Sequence, residues 1–197
     1  MPRVPPTNGF CLIDMLAALG LIVTLSAVAI PHVLAGLDDF RTLGAVRYLS
    51  TRLQQTRMEA VARSANTAMR FESEGESYMF AVFVDGNRNG VLARDIERGI
   101  DGEIDRRERL PDHFPGIDLG ALPGLPPVDP ASPPPDADPV RFGPSNMVVF
   151  TPNGTSTPGS LYVRGRRQSQ YAIRVFGDTG KTRVLKFETR KREWRPL

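Results

Sequence analysis

The stretch from Phe10 to Ile30 constrains this chain most: 21 residues in which Asp14 is the single charge and Thr24 and Ser26 are among the few polar groups. As a helix, at about 1.5 Å per residue, it reaches roughly the ~30 Å of a bilayer core. A secretory signal peptide is one reading, but its basic start is Arg3 alone, an acid sits inside the apolar run, and no small-x-small cleavage site follows it. A plain membrane anchor fits the length and leaves Asp14 unexplained. A carboxylate in an apolar span costs about 2.5–3.5 kcal/mol and calls for a partner.

The segment Asn8-Gly9-Phe10-Cys11-Leu12-Ile13-Asp14 resembles the prepilin peptidase site of type IV pilins and type II secretion pseudopilins. The resemblance implies a leader over residues 1–9, cleavage by prepilin peptidase between Gly9 and Phe10, and N-methylation of Phe10. It also implies assembly roles for Asp14, where the family usually has Glu, and for Pro31, where pilins often carry a helix-kinking proline. Cleavage creates an ammonium at Phe10, and a carboxylate four residues on can pair with that of a neighbouring subunit. In an apolar filament such a pair punishes misregister more than it stabilises. Cys11 reads as a small buried thiol, and the residues before it do not make a lipidation signal.

Beyond Pro31 the pattern turns amphipathic, with Leu43, Val46, Leu49 and Leu53 at helical steps and Arg41, Arg47, Arg52 and Arg57 between them. One helix over 10–64 is expected, greasy in its first half and one-faced in its second; the alternative is two helices broken at Pro31 and Gly36. Strand-like segments follow at Thr67–Glu72, Tyr78–Val84, Met147–Phe150, Ser160–Arg164, Gln170–Phe176 and Thr182–Phe187. The fold class is therefore α+β: a long N-terminal helix, then a β-rich domain over 65–197 with an antiparallel sheet or small sandwich. Two interruptions are expected within it, an acidic loop over 85–110 and a proline-rich insertion over 111–144. Eleven of the residues from Pro111 to Pro144 are proline, which denies regular ladder pairing and suggests a rigid loop laid on the surface.

Three further segments are similar to GspH/FimT-type minor pilins: Thr56-Arg57-Met58-Glu59-Ala60-Val61; Val149 to Thr155 with Gly159 to Val163; and Gly180-Lys181-Thr182-Arg183-Val184. The likeness covers roughly 9–84 and 147–187. It implies a minor pilin or pseudopilin in the inner membrane, single-pass, with its globular domain in the periplasm and other pilin or pseudopilin subunits as partners. An alternative it implies is a FimT-like DNA-binding minor pilin for DNA uptake in natural transformation. In that family a Gly-Arg-x-Arg turn contributes to DNA capture; here it reads Gly180-Lys181-Thr182-Arg183, which keeps the charge and loses one planar fork.

Two segments carry the residue types of a ligand site. Asp85, Asn87 and Asn89 place oxygens at alternate positions before Gly90, with Asp95 following, like the opening of a calcium loop. A Gly/Asn turn within a solvated charged loop explains the same residues. No other cofactor is expected. The second segment is basic: Arg164 to Arg195 carries eleven cations and three acids, while the whole chain nets +3. Arg164, Arg166, Arg167, Lys181 and Arg183 are the candidate phosphate contacts, and Tyr162, Tyr171 and Trp194 could stack on bases if exposed; a basic solvated face is the other reading. One cysteine and two histidines leave little for a metal site or triad, and acid pairs such as Asp38-Asp39 are equally well explained as a solvated helix face. No nucleophile motif or phosphate loop is present, and the chain reads as a non-enzyme.

Overall fold

Helix α1 runs from Leu12 to Arg63 in the computed structural model, which describes residues 11–75, 77–130, 132–135 and 138–197. It passes through Pro31 and Gly36 unbroken, so the two-helix alternative does not hold. Proline removes one N–H donor, and the Leu, Val, Ile and Ala residues before and after it keep the remaining ladder. Gly9 and Phe10 lie outside the described residues.

The chain divides into two compact units, Met1–Leu37 and Asp38–Leu197. In the first, the described helix leaves Leu12, Ile13, Leu16, Leu19, Ile22 and Leu25 exposed. By length and composition it can cross a membrane. In the second, α1 buries one stripe, from Asp38 and Thr42 through Val46, Leu49 and Leu53 to Ala60, at the three- and four-residue steps of a helix face.

The strands, in chain order, begin with β1 (Thr67–Glu74), β2 (Ser77–Val84), β3 (Gly102–Glu103), β4 (Glu108–Arg109), β5 (Asp118–Leu119) and β6 (Val140–Arg141). They end with β7 (Met147–Phe150), β8 (Gly159–Arg164), β9 (Gln170–Val175), β10 (Thr182–Glu188) and β11 (Glu193–Pro196). The short helices α2 (Ala93–Glu97) and α3 (Leu110–His113) interrupt the loops. One sheet has the order β3-β2-β1-β7 with β4 also on β2; the other has β11-β10-β9-β8-β5 with β6 also on β8. Every strand pairing is antiparallel. The six strands anticipated from patterning are present; β3 to β6 and β11 are two to four residues long, too short to carry an alternation.

Both sheets and α1 share one core. Leu49 and Leu53 from the helix meet Met69 and Phe71 of β1, Val148 and Phe150 of β7, and Leu161, Val163, Ile173 and Val175 of β8 and β9. The outward residues are also apolar, so each sheet has a second face to cover. On the first sheet, Ala68, Ala81, Phe83 and Met147 pack with Val91, Ala93 and Ile96 from the acidic loop. On the second, residues 120–128 form a strap. Gln170 Nε2 donates to the Gly120 carbonyl (3.2 Å), the Leu122 N–H donates to Gln170 Oε1 (3.1 Å), Val128 N–H donates to the Tyr162 hydroxyl (2.9 Å), and Trp194 Nε1 donates to the Pro126 carbonyl (2.8 Å).

This corrects the expectation of a proline-rich loop merely laid on the surface. Leu125 is buried beneath the strap, and Ile117, Leu119, Val140 and Phe142 of the same insertion are in the main core. Proline denies a long ladder, but two-residue pairings such as Leu119 with Val163 need few N–H groups.

Candidate functional site

Three segments distant in sequence meet at one end of the second sheet. Thr182 at the start of β10 is fixed to α1 through Ser50 Oγ (3.0 Å) and Gln54 Nε2 (3.1 Å). The turn before it closes with Gly180 N–H on the Phe176 carbonyl (2.8 Å), and the turn of Thr151 to Thr155 closes with Gly154 N–H on the Thr151 carbonyl (2.9 Å). Both glycines have positive φ, +84° at Gly154 and +59° at Gly180. A Cβ on Gly154 would stand 3.2 Å from a terminal nitrogen of Arg57; one on Gly180 would stand 3.0 Å from Arg57 Nε and 2.6 Å from the Gly154 carbonyl oxygen. The positive φ favours glycine at both positions, and at Gly180 a Cβ would also strike the Gly154 carbonyl.

Lys181 and Arg183 follow this junction and are exposed. Arg183 stands directly opposite Arg174 on β9, a like-charged cross-strand pair that is unfavourable by itself. Two contacts offset it: both guanidinium carbons approach the Phe176 ring, at 5.4 Å for Arg174 and 5.3 Å for Arg183, and Arg174 pairs with Asp129 at 3.0 Å.

Arg164, Arg166 and Arg167 lie at the other end of the strands, around the β8–β9 turn. Six residues of β9 separate the two ends, about 20 Å at the rise of an extended strand. The five candidate phosphate contacts are thus brought together as two groups. Tyr162 and Tyr171 are buried and Trp194 is half-buried with its N–H on Pro126, so these rings are packing elements of the domain.

The β8–β9 turn is held by a group that patterning assigned to a solvated face. Asp38 is buried and accepts the backbone N–H groups of Arg166 (3.0 Å) and Arg167 (2.8 Å). Asp39 accepts from the Tyr171 hydroxyl (2.9 Å) and Lys186 Nζ (2.7 Å). Burial, then the hydrogen bond to Asp39, pushes the Tyr171 hydroxyl well above the usual phenol range.

In the acidic loop the structure brings Asp85, Asn87, Asn89 and Asp95 together. Asp85 accepts the N–H groups of Asn87 (3.2 Å), Arg88 (2.7 Å) and Gly90 (2.7 Å). Asn87 and Asn89 donate their side-chain amides to Asp95 at 3.3 and 2.9 Å. Asp101 is buried and accepts from the Gly86 and Leu92 N–H groups. Burial opposes ionisation of Asp85, but its N–H donors and Asn66 outweigh it and hold the carboxyl below its ordinary range. The Asn89 amide does the same for Asp95. Among the described residues no group of three or more His, Cys, Asp or Glu is arranged to hold a metal ion. The loop is pinned to α1 by Arg52, paired with Asp105 (2.5 Å) and Glu108 (2.9 Å), and by the Tyr48 hydroxyl on Glu108. Burial and that contact push Tyr48 up to about 12. The motif reading missed this network; Arg52 carried no signal beyond its place on a polar face.

In the first unit Asp14 is exposed and accepts the Cys11 N–H at 3.3 Å. Cys11 itself is exposed in the single chain, where patterning read a buried thiol.

A family model described as type II transport protein GspH matches residues 45–179, more than half of the chain. Two solved structures of the minor pseudopilin EpsH from the type II secretion system of Vibrio cholerae are similar. One is 14% identical with a TM-score of 0.44, covering 73% of this chain and 94% of that one. The other is 12% identical with a TM-score of 0.38, covering 82% and 95%. No curated protein matches.

Proposed function

The chain belongs to the family of type II transport protein GspH, a family of structural subunits rather than enzymes, and on that premise we propose that it serves as a minor pseudopilin of a type II secretion system. It is made with a leader over residues 1–9, cut by prepilin peptidase between Gly9 and Phe10 and methylated at Phe10. It waits as a single-pass inner-membrane protein, its β-rich domain in the periplasm, before joining other pseudopilin subunits. The observation that carries this reading is the exposed apolar helix from Leu12, long enough to span a bilayer and bearing one carboxylate, Asp14, near its start. An uncovered apolar surface of that size needs lipid or neighbouring helices around it. Asp14 and Pro31 are assigned to assembly, Asp14 by pairing with the amino terminus of a neighbouring subunit. Cysteine cross-linking of full-length protein in cells with the secretion machinery tests this. Asp14→Ala should enter the membrane and fail to join the pseudopilus, and Gly9→Val should accumulate uncut; normal incorporation of either would overturn the corresponding assignment.

A second reading, DNA capture, is favoured by one observation: Lys181 and Arg183 are exposed beside a turn that closely approaches α1. Arg164, Arg166 and Arg167 would then contact phosphates separately, at the opposite end. The test is DNA affinity of the full chain in neutral detergent across a salt series. A Lys181→Ala/Arg183→Ala variant should bind more weakly with a salt slope reduced by about two; no binding by wild type at low salt would remove the reading.

A further inference from the structure

We propose that the outer face of the second sheet carries a docking cleft for an acidic peptide segment of a partner subunit, with Arg141 and Arg174 as the carboxylate ligands. That the partner is a subunit rests on the pseudopilin reading. The strand register lines up one row of side chains across four strands. Arg141 of β6 stands opposite Ser160 of β8, Ser160 opposite Arg174 of β9, and Arg174 opposite Arg183 of β10. Directly opposed residues share a face of the sheet, so three arginines and a serine point the same way. It is the face turned from α1, since the next residues along, Leu161 and Ile173, lie in the core with the helix. A cleft of about 580 Å³ opens over Arg141, Ser160 and Arg174, lined also by Tyr162 and by Pro133, Pro144 and Pro158. That volume is in the range of ligand sites.

The row is short of anions. Asp129 pairs with Arg174 at 3.0 Å, while Arg141 donates to the Pro134 carbonyl and Arg183 rests against the Phe176 ring. Asp138 also lines the cleft, but it already accepts from the Tyr78 hydroxyl (3.3 Å) and the Val140 N–H (2.9 Å). Carboxylates of an incoming chain would meet planar donor forks and offset the like charges of the row. A peptide suits the cleft better than a nucleic acid does. Asp129 and Asp138 beside the arginines repel a strand charged at every unit, yet their oxygens can accept peptide N–H groups. The rings offer no stacking platform: Tyr162 is buried, and Arg174 and Arg183 already cover Phe176. Arg141 and Arg174 stand two strand spacings apart, about 10 Å, which an extended peptide spans in about three residues.

The experiment follows the side-chain Nε–Hε resonances of Arg141 and Arg174 in the full chain in neutral detergent micelles at low salt. The probe is a hexapeptide of alternating glutamate and alanine. Both resonances should move, and the same peptide with glutamine in place of glutamate should leave them fixed. Arg141→Gln should weaken binding about tenfold. Arg98→Gln, which removes an exposed charge from the acidic loop, should bind as wild type does. Equal weakening by the two variants, equal shifts with the two peptides, or no shift at millimolar peptide would each overturn the proposal. So would shifts with a short single-stranded oligonucleotide alone, which would assign the cleft to nucleic acid. Reading the wild-type resonances keeps the test independent of whether a variant folds. Incorporation is read separately, by the cross-linking described above. If wild type joins the pseudopilus and the peptide does not bind, the cleft alone falls; if the peptide binds and wild type never joins, the subunit falls as its partner.

Discussion

The carboxylate of Asp38 accepts the backbone N–H of Arg167 at 2.8 Å, joining the helix to a turn 129 residues later in the chain. The second oxygen takes the neighbouring N–H of Arg166. With Asp38 buried, both donors depend on it. Asp38→Ala leaves two N–H groups without their charged acceptor and should lower stability by about 2–4 kcal/mol, seen as a shift in the urea midpoint. Asp38→Asn should lose less, since one amide oxygen still accepts.

Gly165, in the same turn, sits so close to α1 that a Cβ would strike Thr42 Oγ1 and stand 2.8 Å from Asp38 Oδ2. Gly165→Ala should therefore destabilise by about 1–3 kcal/mol. Gly102→Ala has open space around it and no positive φ, and should change the thermal midpoint little. Equal effects of the two would show that the close approach is not what makes glycine necessary at 165.

The acidic loop should make stability fall in acid. Asp85 and Asp95 ionise more readily in the folded chain than in an unfolded one. A carboxyl with a lowered folded pKa contributes fully above the unfolded value, near 4, and that contribution drains away as pH falls through the folded value. Denaturant midpoints should be flat in this respect above about pH 5 and drop below pH 4. Asp85→Asn should start less stable and show a shallower drop.

The strap predicts a local change in exchange. Val128 N–H donates to the Tyr162 hydroxyl at 2.9 Å. Tyr162→Phe removes the acceptor and leaves the ring in place, so the Val128 amide should exchange with deuterium about tenfold or more faster. Amides of β1 and β2, on the other sheet, should be unchanged.

Much of this arrangement could be read before the fold was known. Helix α1 follows from apolar length and then from the spacing of Val46, Leu49 and Leu53, because 3.6 residues per turn places them on one stripe. Strands β1, β2 and β7 to β10 follow from short runs rich in β-branched and aromatic residues, bounded by turn residues. The proline-rich segment also held a signal that patterning passed over: Leu119, Leu122, Leu125 and Val128 recur every third residue, and all four are buried or half-buried. Asp38 carried none. Beside Asp39 on a polar stretch of helix it is indistinguishable from a solvated acid until the β8–β9 turn arrives against it.

Local periodicity and local chemistry were legible in the chain: the long helix, apolar first and one-faced after, and the order of the main strands. Tertiary packing alone set what long-range closure controls. It placed Arg57 under Gly154 and Gly180 and set Asp38 beneath Arg166 and Arg167. It also turned two insertions into covers for the outer sheet faces. The reason is physical. A periodic pattern reports which side of an element avoids water, whereas a hydrogen bond or a steric fit between segments a hundred residues apart depends on the packing of everything between them.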